Sequence, residues 1–193
     1  MSYPEKSRQK AVFLDKDGTL IKDVPYNVDP KLVLFEPGVF DGLRKFRDHG
    51  FKIIIISNQP GISLGYFTKK ELAELICYFE KRFNENGMLL AGFYYCPHLP
   101  ETSDKSCKCR KPKPELFYTA ARDLDIDLNA SWIIGDILND VEAGNRAGCR
   151  TVLIDNGNET EWVNGIHRTP DFTAKNFSEA ANFITSQTIL SYA

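Results

Sequence analysis

An α/β architecture, one parallel sheet with helices on both faces, is predicted by three features of this sequence. Strand-like and helix-like segments alternate along it, one strand segment is an unbroken isoleucine run (Lys52–Ser57, KIIIIS), and polar clusters directly follow three of the strands. Alternation calls for βαβ units, whose crossovers cover both faces of a sheet. A continuous apolar run suits a strand buried on both sides. In such sheets ligands settle beyond the carboxyl ends of the strands, near the point where strand order reverses. Polar residues just after strands are therefore the first place to seek a site.

The elements follow in order. Ala11–Leu14 (AVFL) is a short apolar strand that ends at Asp15. Val39–His49 has apolar residues at helical spacing and stops at Gly50. Lys52–Ser57 is the buried strand. Thr68–Asn86 is a helix opened by Thr68 with Glu71 three residues on, a capping box, and it stops before Gly87. Gly92–Cys96 (GFYYC) is a short aromatic strand. Pro114–Leu124 is a helix with proline in its first turn. Ser131–Gly135 and Arg150–Ile154 are strands flanking a short helix at Val141–Ala147, and Ser178–Thr185 is the last helix. A chain of 193 residues suits a single domain over residues 1–193.

Composition narrows the class of function. Apolar residues make up 42% and charged residues 26%, ordinary for a soluble globular protein. A formal charge of -2 excludes the basic excess that nucleic acid or an anionic membrane would need. The longest apolar run, Ile53–Ile56, is far short of the ~20 residues of a membrane span. The opening MSYPEKSRQK lacks the apolar stretch of a secretory signal, so a cytoplasmic protein is expected. Nothing suggests a coiled coil, and a monomer is expected. Five cysteines, an odd number, argue against a disulfide framework.

Four clusters carry chemistry. Asp15-Lys16-Asp17-Gly18-Thr19 sets two carboxylates just past a strand. Ser57, with the amides of Asn58 and Gln59 after it, offers neutral hydrogen-bond donors to an anion. Lys111 precedes Pro112, which disfavours helix there, and so stands as a fixed cation just before a helix start, well placed for phosphate. Asp136 follows a strand and Gly135, with Asp140 four residues on, where a carboxylate at the first turn of a helix is commonplace. Each cluster alone reads as a turn, a basic loop or a helix start.

Together and in this order, the four clusters resemble the four motifs of the haloacid dehalogenase-like (HAD) phosphatases, from Phe13 to about Gly148. The resemblance implies a Rossmann-like HAD fold and a magnesium-dependent phosphatase. In that reading Asp15 is the nucleophile that forms an aspartyl-phosphate, and Asp17 is the acid and then the base. Ser57 and Lys111 neutralise the phosphoryl oxygens. Mg²⁺ takes oxygen ligands, here from Asp15, Asp136 and the backbone carbonyl of Asp17. A non-catalytic HAD-fold binding protein is the alternative of another class, and the complete set of motif residues argues against it.

Cys96-Pro97-His98 and Cys107-Lys108-Cys109 place three thiols and an imidazole within fourteen residues. Three sulfurs and a nitrogen make the closed tetrahedral set of structural Zn²⁺. Bound metal would tie down the loop whose end carries Arg110 and Lys111. This segment narrows the resemblance to the D-glycero-D-manno-heptose 1,7-bisphosphate phosphatases and the histidinol-phosphate phosphatases. Both families share the Asp-x-Asp-Gly-Thr start, the Asn-Gln-x-Gly-Ile motif and the Cys-x-His…Cys-x-Cys-Arg-Lys-Pro segment. It implies no large cap domain and a small phosphorylated metabolite as substrate.

The heptose substrate, a precursor of ADP- or GDP-heptose for lipopolysaccharide core, is favoured over histidinol phosphate. The latter's enzymes often carry a dehydratase domain with no counterpart here. Arg110 would serve a second anionic or hydroxyl-rich contact, and Asp23 and Tyr26 would face the sugar. Ile137 stands where the heptose enzymes commonly carry a lysine.

Overall fold

The computed structural model describes residues 8–100 and 107–190. The polar opening through residue 7, the centre of the cysteine loop (101–106) and residues 191–193 lie outside the described residues. Among the described residues six strands form one sheet: β1 (Ala11–Leu14), β2 (Lys52–Asn58), β3 (Leu90–Cys96), β4 (Trp132–Gly135), β5 (Arg150–Ile154) and β6 (Phe172–Ala174). All neighbouring pairs are parallel, in the order β3-β2-β1-β4-β5-β6. The order reverses between β1 and β4, and that is where a parallel sheet opens a crevice beyond its strand ends.

The period-two alternation of strand side chains divides the core into two layers. Val12 and Leu14 of β1, Ile53 and Ile55 of β2, and Trp132 and Ile134 of β4 face one layer. That layer is shared with helices α1 (Val39–Asp48), α2 (Lys69–Glu85) and α5 (Phe177–Leu190). Ala11, Phe13, Ile54, Ile56 and Ile133 face the other, against α3 (Glu115–Leu124) and α4 (Leu138–Ala147). Every residue of β1 is buried, as a central strand covered on both faces must be. Among the described residues no helix is long and apolar enough to cross a membrane.

Most elements lie where the sequence puts them. The capping box at Thr68 is formed: Glu71 N–H donates to Thr68 Oγ1 at 3.2 Å, and Thr68 N–H to Glu71 Oε2 at 2.7 Å. Three differences have physical causes. β6 is three residues long and is a strand only because Ile154 and its neighbours pair with it, so no local pattern marks it. α5 begins at Phe177 and runs on to Leu190, five residues beyond Thr185. α4 starts at Leu138 rather than Val141, because Glu159 Oε2 accepts from the Leu138 N–H at 2.6 Å. That cap arrives from 21 residues away.

Candidate active site and metal clusters

Three strand ends deliver the polar clusters to one edge. Asp15 leaves β1, Ser57 and Asn58 end β2, and Asp136 leaves β4. They border a cleft of ≈ 380 Å³ with Asp17, Asp23, Tyr26, Gln59, Arg110 and Lys111. A larger cavity of ≈ 720 Å³ lies alongside, sharing Asp23 and Asn158, but it lacks the clustered carboxylates.

Asp15, Asp136 and Asp140 present carboxylate oxygens within 4.8 Å of one another, all three residues buried. Asp140 is the functional residue that sequence reasoning passed over. Instead of lying on the exposed side of a helix start, it is fully buried, and its Oδ1 lies 2.6 Å from Lys111 Nζ. That contact combines charge with a hydrogen bond from the ammonium, and both lower the carboxyl's tendency to hold a proton. No local signal could have found it: Asp140 falls on the first turn, facing back to the strand end, only because the helix starts at Leu138. Gly135 makes room for it, since a Cβ there would lie 2.2 Å from Asp140 Cβ.

Lys111 is sealed in this cluster. Its ammonium pairs with Asp15 and Asp140 and donates to Ile56 O at 3.0 Å. Burial alone would lower its pKa, but the two carboxylates outweigh burial and hold it above the usual lysine range. With all three carboxylates ionised, one ammonium leaves two negative charges unbalanced, the charge of one divalent cation. The strain shows in Asp136, whose pKa burial and the charges of Asp15 and Asp140 push up to about 8. Asp140 is raised to about 6, again chiefly by burial. Asp136 is nonetheless held in place, accepting from Thr19 Oγ1 at 3.2 Å and from Asn158 Nδ2 at 2.8 Å. Gly18, at φ +78°, permits that approach: a Cβ would sit 2.0 Å from Asp136 Oδ2.

The carboxylate of Asp17 stands apart from the trio. It pairs with Lys16, whose side chain is buried, and accepts from Gln59 Nε2 at 3.4 Å. Burial raises its pKa, with Lys16 opposing and Asp15 adding to the rise. Gln59 also donates to Ser57 Oγ at 2.8 Å, leaving the serine its own proton to give. Asn58 borders the cleft, but its amide is engaged with Lys111. Nδ2 donates to Lys111 O at 3.2 Å, and Oδ1 accepts from Lys111 N–H at 3.0 Å. Ile137 adds an apolar patch to the wall.

Cys96, His98, Cys107 and Cys109 converge at the end of β3. The S···S separations are 3.6 and 3.7 Å, and His98 Nδ1 is 3.4 Å from both Cys96 Sγ and Cys109 Sγ. Sulfurs bound at ~2.3 Å on a tetrahedron stand about 3.8 Å apart, so four donors here fit around one ion. Without an ion the three thiols differ in acidity. Burial pushes the Cys96 and Cys109 thiols up, while N–H donors, Arg110's foremost, more than offset burial at Cys107. The cluster is stitched to the cleft by Gln59 N–H to Cys96 O (2.7 Å), Ser63 Oγ to Pro97 O (2.7 Å) and Arg110 Nη1 to His98 O (3.2 Å).

Comparison with known proteins relates the sequence and the fold to a family. The family model described as HAD-hydrolase-like matches residues 108–180. A D-glycero-beta-D-manno-heptose-1,7-bisphosphate 7-phosphatase of Haemophilus ducreyi is 40% identical over 150 residues, 76% of this chain and 82% of that one. A probable heptose-bisphosphate 7-phosphatase of Thermoplasma volcanium is 41% identical over 127 residues, 66% of this chain and 85% of that one. Among solved structures, a D,D-heptose 1,7-bisphosphate phosphatase from B. bronchiseptica, complexed with magnesium and phosphate, superposes with a TM-score of 0.80 at 25% identity. That match covers 92% of this chain and 99% of the other.

Proposed function

Because this chain belongs to the D-glycero-D-manno-heptose-1,7-bisphosphate 7-phosphatase family of HAD-like hydrolases, we propose that it removes the 7-phosphate from D-glycero-D-manno-heptose 1,7-bisphosphate. The observation that carries the reading is the buried trio Asp15, Asp136 and Asp140 around Lys111, opening on a cleft next to Asp17.

The reaction has two displacements. An Asp15 oxygen attacks phosphorus as the bond from phosphorus to the sugar oxygen breaks, giving an aspartyl-phosphate. Asp17 gives its proton to the departing alkoxide, and its raised pKa supports its carrying one. A water then attacks phosphorus, Asp17 takes that water's proton, and Asp15 is freed with release of inorganic phosphate. Ser57 and Lys111 balance charge on the phosphoryl oxygens. Asn58 acts by fixing Lys111, and Gln59 by fixing Ser57 and Asp17. Arg110, Asp23 and Tyr26 contact the rest of the bisphosphate.

Asp15, Asp136 and the Asp17 carbonyl would hold Mg²⁺, and the unbalanced charge of the trio fits a hard divalent cation. When bound, the metal screens the nucleophile from the phosphate and polarises a phosphoryl oxygen. Cys96, His98, Cys107 and Cys109 would hold a structural Zn²⁺, a soft donor set with no position left open. Thiolate ligands persist in reducing compartments, and we propose a cytoplasmic, monomeric, single-domain enzyme.

The test is a steady-state comparison of both anomers of heptose 1,7-bisphosphate with histidinol phosphate in Mg²⁺. The expected outcome is a kcat/KM for one heptose anomer at least ~100-fold above that for histidinol phosphate, about 2.7 kcal/mol of discrimination. A preference for histidinol phosphate would overturn the substrate assignment while leaving the phosphatase chemistry in place.

A further inference from the structure

The floor of the cleft is charged, but one wall is aromatic, and its backbone is held in an unfavourable conformation. Tyr26 borders the cleft and sits at φ 57°, a left-handed region that bulky residues seldom adopt. Surrounding hydrogen bonds over-determine that conformation. Asn27 N–H donates to Val24 O at 3.1 Å, and the buried Asn27 side chain bridges to both backbone groups of Asp29, at 2.8 and 3.3 Å. Backbone strain maintained this way is concentrated at ligand sites.

Tyr66 comes from the loop after β2 and meets Tyr26 edge to face, with ring centroids 4.8 Å apart and planes at 69°. Its own position is fixed on both sides. Its N–H donates to Gly61 O at 2.9 Å, and the next residue, Phe67, is buried in the core. Neither tyrosine belongs to the hydrophobic clusters of the core. Tyr26 is 49% and Tyr66 63% exposed. Core packing therefore does not account for the pair: Tyr26 borders the cleft, and Tyr66 stands behind it in ring contact.

We propose that Tyr66 is a positioning residue for substrate selection. It braces Tyr26 so that the two rings form a wall for the carbon skeleton of an extended phosphorylated polyol whose phosphoryl group reaches Asp15. The inference rests on the sugar-bisphosphate reading above. A polyol presents C–H edges between its hydroxyls, and the electron-rich face of a tyrosine ring attracts such edges. A phosphate ester of one or two carbons has no skeleton to lay there. The wall thus contributes to binding of the long substrate and little to handling of the phosphoryl group.

The experiment compares the wild type with Tyr66→Ala and Tyr66→Phe on heptose 1,7-bisphosphate and on acetyl phosphate, with inorganic phosphate as a competitive probe of the floor. Tyr66→Ala is expected to raise the KM for the bisphosphate roughly 5–10-fold with kcat little changed, the scale of one lost aromatic contact. The KM for acetyl phosphate and inhibition by phosphate shift by less than about 2-fold, and Tyr66→Phe, which keeps the edge-to-face contact, behaves as wild type. An unchanged KM for the bisphosphate in Tyr66→Ala overturns the proposal. So does an equal rise for both substrates, which marks a general disturbance of the cleft. A wild type that hydrolyses acetyl phosphate but not the bisphosphate defeats the substrate reading itself, and the wall with it.

Discussion

Asp15, Asp136 and Asp140 reach one another from two strand ends and the first turn of a helix, separated by as many as 125 residues of chain and fixed by the register of β1 and β4. Cys96, His98, Cys107 and Cys109 lie within fourteen residues at the end of one strand. The first cluster is acidic, self-repelling and open to a cleft; the second is built of thiols and an imidazole and is closed. A site that must admit a substrate next to its metal needs rigid, sequence-distant supports and an unfilled position. A site that only ties down a loop needs neither. Lys111 joins the two, because the loop organised by the thiols ends in the ammonium that the carboxylates enclose.

The sharpest way to break this division of labour is at the nucleophile. Asp15→Asn is expected to lower kcat on the order of 10⁴-fold, as removal of a covalent nucleophile does. Folding should be retained and zinc content unchanged. Substantial Mg²⁺-dependent activity, after mass spectrometry has excluded deamidation back to aspartate, would remove Asp15 from its role.

The thiol cluster should affect catalysis only indirectly. Purified protein is expected to carry close to one equivalent of zinc by elemental analysis. Cys109→Ser should lose that zinc, lower the melting temperature, and reduce kcat about 10-fold, the scale of disturbing a group that orients a catalytic one. An effect as large as that of Asp15→Asn would mean the cluster does chemistry. No effect would mean that Asn58 alone holds Lys111 in place.

How far these two clusters are readable in the sequence differs for a physical reason. The thiols and imidazole need only local spacing, so Cys-x-His and Cys-x-Cys identify them. The carboxylates depend on topology, and Asp15 and Asp136 are legible because each directly follows an apolar strand. Asp140 is not, since its burial depends on where α4 begins, and that is set by Glu159 from the far side of β5. β6 was hidden likewise, three residues with no alternation of their own. The bracing of Tyr26 by Tyr66 joins two loops 40 residues apart, and neither loop announces the other.

The electrostatic half of the contrast can be read against pH. Asp136 ionises near 4 in the unfolded chain but near 8 when folded without metal. As pH rises through that window the unfolded state sheds its proton first, so metal-free stability contributed at low pH is progressively lost. Mg²⁺ needs the ionised form and offsets the loss. Differential scanning fluorimetry should therefore show a Mg²⁺-induced rise in melting temperature that is small at pH 6 and a few degrees larger at pH 8.5. In Asp136→Asn that pH dependence should largely disappear. An equal Mg²⁺ shift at both pH values would show that the trio's repulsion is not what the cation relieves.

The smallest expected effect concerns the support of the open cluster. Glu159 supplies the N-terminal turn of α4 with a carboxylate acceptor, at 2.6 Å from the Leu138 N–H, where it also opposes the positive end of the helix dipole. Glu159→Ala should cost about 1 kcal/mol in urea unfolding, and Glu159→Gln, which keeps an acceptor but not the charge, less. Because α4 also packs its buried face against β4 and β5, Asp140 should stay near Lys111, and kcat should fall only about 2-fold. If stability is unchanged but kcat falls steeply, Glu159 holds its neighbour Asn158 on Asp136 rather than the helix start. The support of the carboxylate cluster would then reside in the loop after β5, making the open site as dependent on a loop as the closed one.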